Sequence, residues 1–316
     1  MNTKVRGRKV LVTGGAGFIG SHLVDTLIEQ GAYVTTVDDL SNGRIENINK
    51  KARFICASIN DKKAMSECLV DSDLVFHLAA DTATKETSMG FKDPFAEMTV
   101  NAKGSVTILK CVVDCNPSAN IIFASSAAVY GEPKFTPVDE EHPTEPVSPY
   151  GISKLASEKY LIAYFKEFGT KAVVARIFNT YGPRQSRYVI HDIIKKLHTD
   201  SSQLELMGTG SIIRDYAYVS DTVDALILIA ERGKCGEVYN VAGGNPISIE
   251  NLVCLILKER KLAGKTKVKY TGASWKGDIT RMIANINKVK QLGYQPKINL
   301  ETGIKKTLNW FLRNSS

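Results

Sequence analysis

Residues 9–20 read Lys9-Val10-Leu11-Val12-Thr13-Gly14-Gly15-Ala16-Gly17-Phe18-Ile19-Gly20. The β-branched, apolar run up to Thr13 predicts a buried parallel strand. Apolar residues at Phe18, Ile19, Leu23, Val24, Leu27 and Ile28 then recur with a helical period, and Gly31 ends that helix. A second strand follows at 33–37. Glycines between a strand and a helix serve a tight turn, close backbone approach to a pyrophosphate, and close packing of helix on sheet. Free amides and the positive dipole end at the helix N-terminus suit phosphate. Asp38 closes the second strand 18 residues after Gly20, where a carboxylate takes the ribose hydroxyls of a dinucleotide. Asp39 adds a second negative charge that repels a 2′-phosphate and so favours NAD, with Arg44 opposing it weakly.

Composition bounds the rest. A chain of 316 residues that is 43% hydrophobic can bury a large core and carry two lobes. No apolar run reaches the ~18 residues of a membrane span. Residues 1–9 are basic but lead into a strand, not into the apolar segment of a signal peptide. The net charge of +8 comes from scattered lysines and arginines without interleaved aromatics. That argues against a nucleic-acid partner and for a basic surface that helps attract an anionic substrate. The six cysteines show neither metal nor disulfide spacing. Cys111 and Cys115 share a helix face without a second pair, so no metal is expected; buried thiols in a reducing cytoplasm are.

Strands and helices alternate: strand 53–59, helix 61–70, strand 73–80, a long helix from 94 to about 115, and strand 120–124 running into Ser125-Ser126. A proline-rich loop follows, then helix 150–168 and strand 171–178. The pattern predicts an α/β fold with a doubly wound parallel sheet. Ligands of such sheets bind beyond the carboxyl ends of the strands, where His77 to Ala80, Ser125, Ser126 and Asn179 fall. After residue 180 the strands shorten, with helical stretches at 188–199, 220–232 and 248–260. The expected division is a cofactor domain over 1–178 and a smaller C-terminal α/β substrate lobe over 179–316.

Tyr150-Gly151-Ile152-Ser153-Lys154 adds chemistry. Tyrosine and lysine four residues apart on a helix share a face. Free tyrosine, with a pKa of about 10, is a poor base at neutral pH. A nearby ammonium, and a cationic nicotinamide ring beside it, favour the phenolate, so the pair is a route to a base that works near pH 7. The alternative is a half-buried tyrosine with a solvated lysine.

The motifs recur in a familiar order: Thr13–Gly20, His77-Leu-Ala-Ala80, Ser125-Ser-Ala-Ala-Val-Tyr-Gly131, Tyr150–Lys154, Arg176-Ile-Phe-Asn-Thr-Tyr-Gly-Pro-Arg184, Arg214-Asp-Tyr-Ala-Tyr-Val219, Leu292-Gly-Tyr and Thr307-Leu-Asn-Trp310. Along nearly its whole length the chain resembles the extended short-chain dehydrogenase/reductase (Rossmann) family that acts on nucleotide sugars, and most closely its UDP-glucose 4-epimerase branch. The resemblance implies that Tyr150 is the base at the C4 hydroxyl, that Lys154 lowers its pKa and holds the nicotinamide ribose, and that Ser126 bonds O4 and relays the proton, with Ser125 as its stand-in. It implies NAD contacts at Gly14, Gly17, Phe18, Ile19, Gly20, Asp38, Asp39, Asn42, Leu78, Ala79, Ala80, Asn101, Tyr150 and Lys154. It implies UDP-sugar contacts at Ser125, Ser126, Tyr150, Asn179, Arg214 and Asp278. Alternatives are a capping role for Asn179 and a surface ion pair of Arg214 with Asp215. The family also implies a homodimer built on the helices around 95–115 and 150–168, and a cytoplasmic enzyme.

Members that dehydrate or decarboxylate carry acids just after the catalytic Ser or Thr. Here Ala127 and Ala128 stand there and can move no proton. A 4-epimerase needs none, so their absence favours epimerisation. The chain departs from the family at Ser58, where an acid is usual, at Trp275-Lys276, and at 81–85, where Asp81, Lys85 and Glu86 are the nearby ionisable residues. Rival readings are a dehydratase or decarboxylase of the same family, or a non-catalytic NAD-binding regulator. The retained Tyr150 and Lys154 oppose the last.

Overall fold

Strand β1 (Lys9–Thr13) exposes only its first residue, as a strand covered by helices on both faces must. The structure is a computed structural model describing residues 5–82, 93–272 and 279–314, without the side chain of Pro94. From β1 the chain runs through α1 (Phe18–Glu29), β2 (Tyr33–Asp38), β3 (Arg53–Cys56), α2 (Lys62–Leu69) and β4 (Leu74–His77). Next come α3 (Pro94–Glu97), a π-helical turn (Met98–Lys103) and α4 (Gly104–Cys115), a continuous helix over the expected 94–115. They lead to β5 (Asn120–Ser126), α5 (Pro149–Phe168), β6 (Lys171–Ile177) and β7 (Asn179–Tyr181). The remainder comprises α6 (Val189–Thr199), β8 (Gln203–Leu206), β9 (Ile213–Tyr218), α7 (Val219–Arg232), β10 (Val238–Val241), β11 (Pro246–Ser248), α8 (Ile249–Glu259), β12 (Lys267–Tyr270), β13 (Arg281–Met282), α9 (Asn287–Gln291) and α10 (Leu300–Asn314).

Seven parallel strands form the main sheet in the order β10-β6-β5-β4-β1-β2-β3. The winding reverses between β1 and β4, and this switch point opens the crevice where doubly wound sheets take their ligands. Alternation along β1 sends Val10 and Val12 to one face, against Leu23 and Leu27 of α1 and Leu226 of α7. Leu11 goes to the other, with Met65 of α2, Ile108 of α4 and Leu161 of α5. A third cluster joins Ile193 of α6, Leu252 and Ile256 of α8, and Ile304 and Leu308 of α10 under the smaller sheets.

Two features depart from the sequence expectation. The division at 178/179 is crossed by β10, whose residues 238–241 pair with β6. Tyr239 and Val241 are buried there, and the strand covers an edge that β6 would otherwise expose. The C-terminal part also has a further long helix, α10, whose Leu300, Ile304, Leu308 and Phe311 form a buried stripe. Among the described residues no helix is long and apolar enough to cross a membrane.

Candidate active site

A cleft of about 690 Å³ lies at the switch point, and residues from both parts of the chain line it. At its floor, Gly14 takes a positive φ of 76°, and a Cβ there would sit 2.7 Å from the Ala79 amide nitrogen. Only glycine lets the two strand ends close together at this point. Gly17, Phe18, Ile19 and Gly20 line the cleft at the start of α1, with Asp39, Asn42, Leu78, Ala79 and Ala80 beside them. Asp38, nearly buried at the end of β2, is held by the amides of Ala16 (3.0 Å) and Leu40 (2.9 Å). Burial pushes its pKa up, those two amides oppose the shift, and Asp39 adds repulsion. The turn and an oriented carboxylate fit a dinucleotide's pyrophosphate and ribose.

Asn101, in the π-helical turn, plays a different part. Its amide donates to Ser153 Oγ and to the Asp81 carbonyl, both at 2.9 Å, and its Oδ1 accepts the Asp81 amide at 2.9 Å. It fastens that turn to α5 and to the segment at Asp81, and it does not line the cleft. His77, at the end of β4, bonds Thr13 Oγ1 through Nδ1 (2.8 Å) and Ser105 Oγ through Nε2 (3.0 Å). Ser105 gives its own proton to the Asn101 carbonyl, so it accepts from His77, and the proton sits on Nε2. Burial, with the charge of Lys154 assisting, pushes His77 down to about 3. It is a neutral strut.

Helix α5 starts after Ser148, whose hydroxyl accepts the Gly151 amide at 3.1 Å, with Pro149 in the first turn. Gly169 ends it in the left-handed conformation. These signals place Tyr150 and Lys154 one turn apart at the cleft. A Cβ at Gly151 would lie 2.5 Å from the Ala128 carbonyl oxygen, so glycine lets α5 press onto the turn after β5. That approach brings Tyr150 to Ser126, which hydrogen-bonds it.

Electrostatics at Tyr150 differ from the expectation. Burial holds it above the usual tyrosine range, Tyr188 adds to the rise, the Ser126 hydroxyl and Arg187 draw it down, and Glu97 raises it. Lys154 is itself pushed down to about 7 by burial, with Glu158 opposing the fall. Its Nζ sits 4.2 Å over the Phe123 ring. Burial is therefore the largest influence at Tyr150, and two charged neighbours that no sequence spacing marks, Arg187 and buried Glu97, enter the balance. Ser125 is turned away from the role of stand-in, giving its proton to Glu158 Oε1 at 2.5 Å.

Asn179 on β7 and Arg214 on β9 reach the same cleft. Asn179 also donates weakly to the Asp215 carbonyl at 3.4 Å. Arg214 and Asp215 face opposite sides of β9: Arg214 lines the cleft, while fully buried Asp215 accepts the Asn245 amide at 3.0 Å. Asp278 lies outside the described residues, as do Lys85, Glu86, Trp275 and Lys276.

The sequence profile described as GDP-mannose 4,6 dehydratase matches residues 11–307. A putative UDP-glucose 4-epimerase of Methanocaldococcus jannaschii is 35% identical over 97% of this chain and 99% of its own. The crystal structure of the Thermotoga maritima UDP-glucose 4-epimerase with UDP-glucose is 35% identical, covers 98% of this chain and all of that one, and superposes with a TM-score of 0.90. The dTDP-glucose 4,6-dehydratase DesIV of Streptomyces venezuelae, solved with NAD bound, is 27% identical over 97% of each chain with a TM-score of 0.88. With the profile spanning nearly the whole chain and the fold shared end to end, the protein belongs to the GDP-mannose 4,6-dehydratase family, the extended short-chain dehydrogenase/reductases that act on nucleotide sugars.

Proposed function

We propose that this member of the nucleotide-sugar epimerase/dehydratase enzymes is a UDP-sugar 4-epimerase of the UDP-glucose/UDP-galactose type. The observation that carries the reading is the pair Ala127 and Ala128, which line the cleft directly after Ser126 and offer no group to take a C5 proton or protonate a leaving hydroxyl. The cofactor is NAD, for which the glycine turn and Asp38 are suited; when bound it supplies reversible hydride acceptance at C4. Tyr150 takes the C4-hydroxyl proton with Ser126 bonded to both oxygens, and Lys154 orients the cofactor ribose. Asn179 and Arg214 hold the diphosphate while the 4-keto sugar turns over and exposes its other face.

Dehydration is the second reading. The observation favouring it is Glu97, a buried carboxylate whose charge acts on Tyr150, although it does not line the cleft. The protein is further read as a cytoplasmic homodimer. Exposed apolar residues Phe95, Met98, Ile152 and Tyr160 lie on the two helical segments that would pair with a second copy.

The test is to incubate purified protein with a panel of UDP-sugars, without added NAD, and follow products by NMR. Interconversion of 4-epimers with no net NADH supports the proposal. Stoichiometric NADH, or a 4-keto-6-deoxy sugar, overturns it.

A further inference from the structure

Tyr150, Lys154 and Glu158 recur every four residues and form one stripe down α5. Glu158, at the inner end, is 1% exposed. Its Oε1 accepts Ser125 Oγ at 2.5 Å and Arg176 Nε at 3.1 Å, and its Oε2 accepts Arg176 Nη2 at 2.8 Å. Arg176 continues to the Tyr130 hydroxyl (3.0 Å) and the Glu140 carbonyl (3.2 Å), and Tyr130 donates to Asn240 Oδ1 at 2.6 Å. One buried carboxylate thus joins the end of β5 beside Ser126, the helix carrying Tyr150 and Lys154, and the strand leading to Asn179.

A buried ion pair is weak evidence for stability, because desolvating both charges offsets their attraction. The surroundings of Lys154 suggest another role for this one. From β4 its charge acts on His77, which is neutral; from β5 it meets the Phe123 ring; along its own helix Glu158 acts on it. Arg176, from β6, is already paired with Glu158. Among the described residues Glu158 is the carboxylate that opposes loss of the Lys154 proton.

We infer that Glu158 is a positioning residue for the reaction: it supplies the counter-charge that keeps buried Lys154 an ammonium, and by taking the Ser125 proton it leaves Ser126 as the hydroxyl that serves Tyr150. This rests on the catalytic roles proposed above for Tyr150, Lys154 and Ser126. Arg176 holds the carboxylate in place from the neighbouring strand.

Glu158→Gln alone would leave Arg176 charged and unpaired, so the deciding protein is the double variant Glu158→Gln with Arg176→Gln, which removes both charges and keeps hydrogen-bonding groups. Protein labelled with 13C at lysine Cε is titrated by NMR, the Lys154 signal being assigned by its loss in Lys154→Met. The expected result is a Lys154 midpoint at lower pH than in the wild type. With it, turnover at pH 8 relative to pH 6 falls about fivefold, the effect of moving the midpoint down by roughly one unit from about 7, with KM for the UDP-sugar little changed. Glu158→Asp, which keeps the charge, retains the wild-type midpoint. A double variant that folds with an unmoved Lys154 midpoint and wild-type pH profile overturns the inference, and so does one that cannot fold, which would make the pair purely structural. If the wild type turns over no UDP-sugar, the functional reading fails, while the NMR midpoint still decides the role of Glu158.

Discussion

Gly151 and Ala128 meet where helix α5 presses onto the turn that follows β5: a Cβ at residue 151 would stand 2.5 Å from the Ala128 carbonyl oxygen. Inside a helix alanine is normally favoured over glycine by about 1 kcal/mol. Here the gain is set against a backbone atom that cannot yield without moving α5. Gly151→Ala is expected to separate Tyr150 from Ser126 and lower turnover about 100-fold, the scale for displacing reacting groups by about 1 Å. NAD should still be released on denaturation, since the glycine turn and Asp38 lie on other elements and keep their geometry. Near wild-type turnover in this variant would mean that the contact does not position the pair.

Tyr150→Phe keeps the ring and removes the hydroxyl that Ser126 bonds. General acid–base groups typically contribute ~10²–10⁴-fold, so turnover should fall at least about 100-fold. Calorimetric titration with UDP should show binding retained. A variant that turns over like the wild type would make the tyrosine structural.

Glu97 is buried and its charge raises Tyr150. Removing a negative charge favours the phenolate, so Glu97→Gln should lower the Tyr150 pKa and move the acid limb of the pH–turnover profile to lower pH. A limb that stays in place, or moves to higher pH, contradicts the electrostatic assignment.

The two alanines after Ser126 separate the two readings of the reaction. Substrate deuterated at C5 should keep its label through many turnovers, because neither Ala127 nor Ala128 can abstract that proton. Washout of deuterium into water, followed by mass spectrometry, would transfer the assignment to elimination and make Glu97 and Asp81 the groups to substitute first.

Local sequence was enough for the elements that build the cofactor half. The strand at 9–13, its glycine turn and the following helix are set by β-branched residues, glycine conformations and a 3.6-residue apolar period, all of which act over a few neighbouring positions. Helix α5 is equally legible, because Ser148, Pro149 and Gly169 mark its ends and the Tyr150–Lys154 spacing then places both side chains on one face. Tertiary structure decided what depends on distant segments. The strand at 238–241 belongs to the main sheet because β6 offers it an open edge. Ser125 and Ser126, adjacent and alike in sequence, part company because Glu158, 33 residues from Ser125, claims one hydroxyl. Arg187 and Glu97 bear on Tyr150 through folding of the loop after β7 and of the helix before α4, which no periodicity encodes. Burial itself, the largest influence on Tyr150 and Lys154, arises only when the helices close over the sheet. Sequence therefore determined which chemical groups the protein possesses and the faces they share, and the packed fold decided which of them carry charge and which proton goes where.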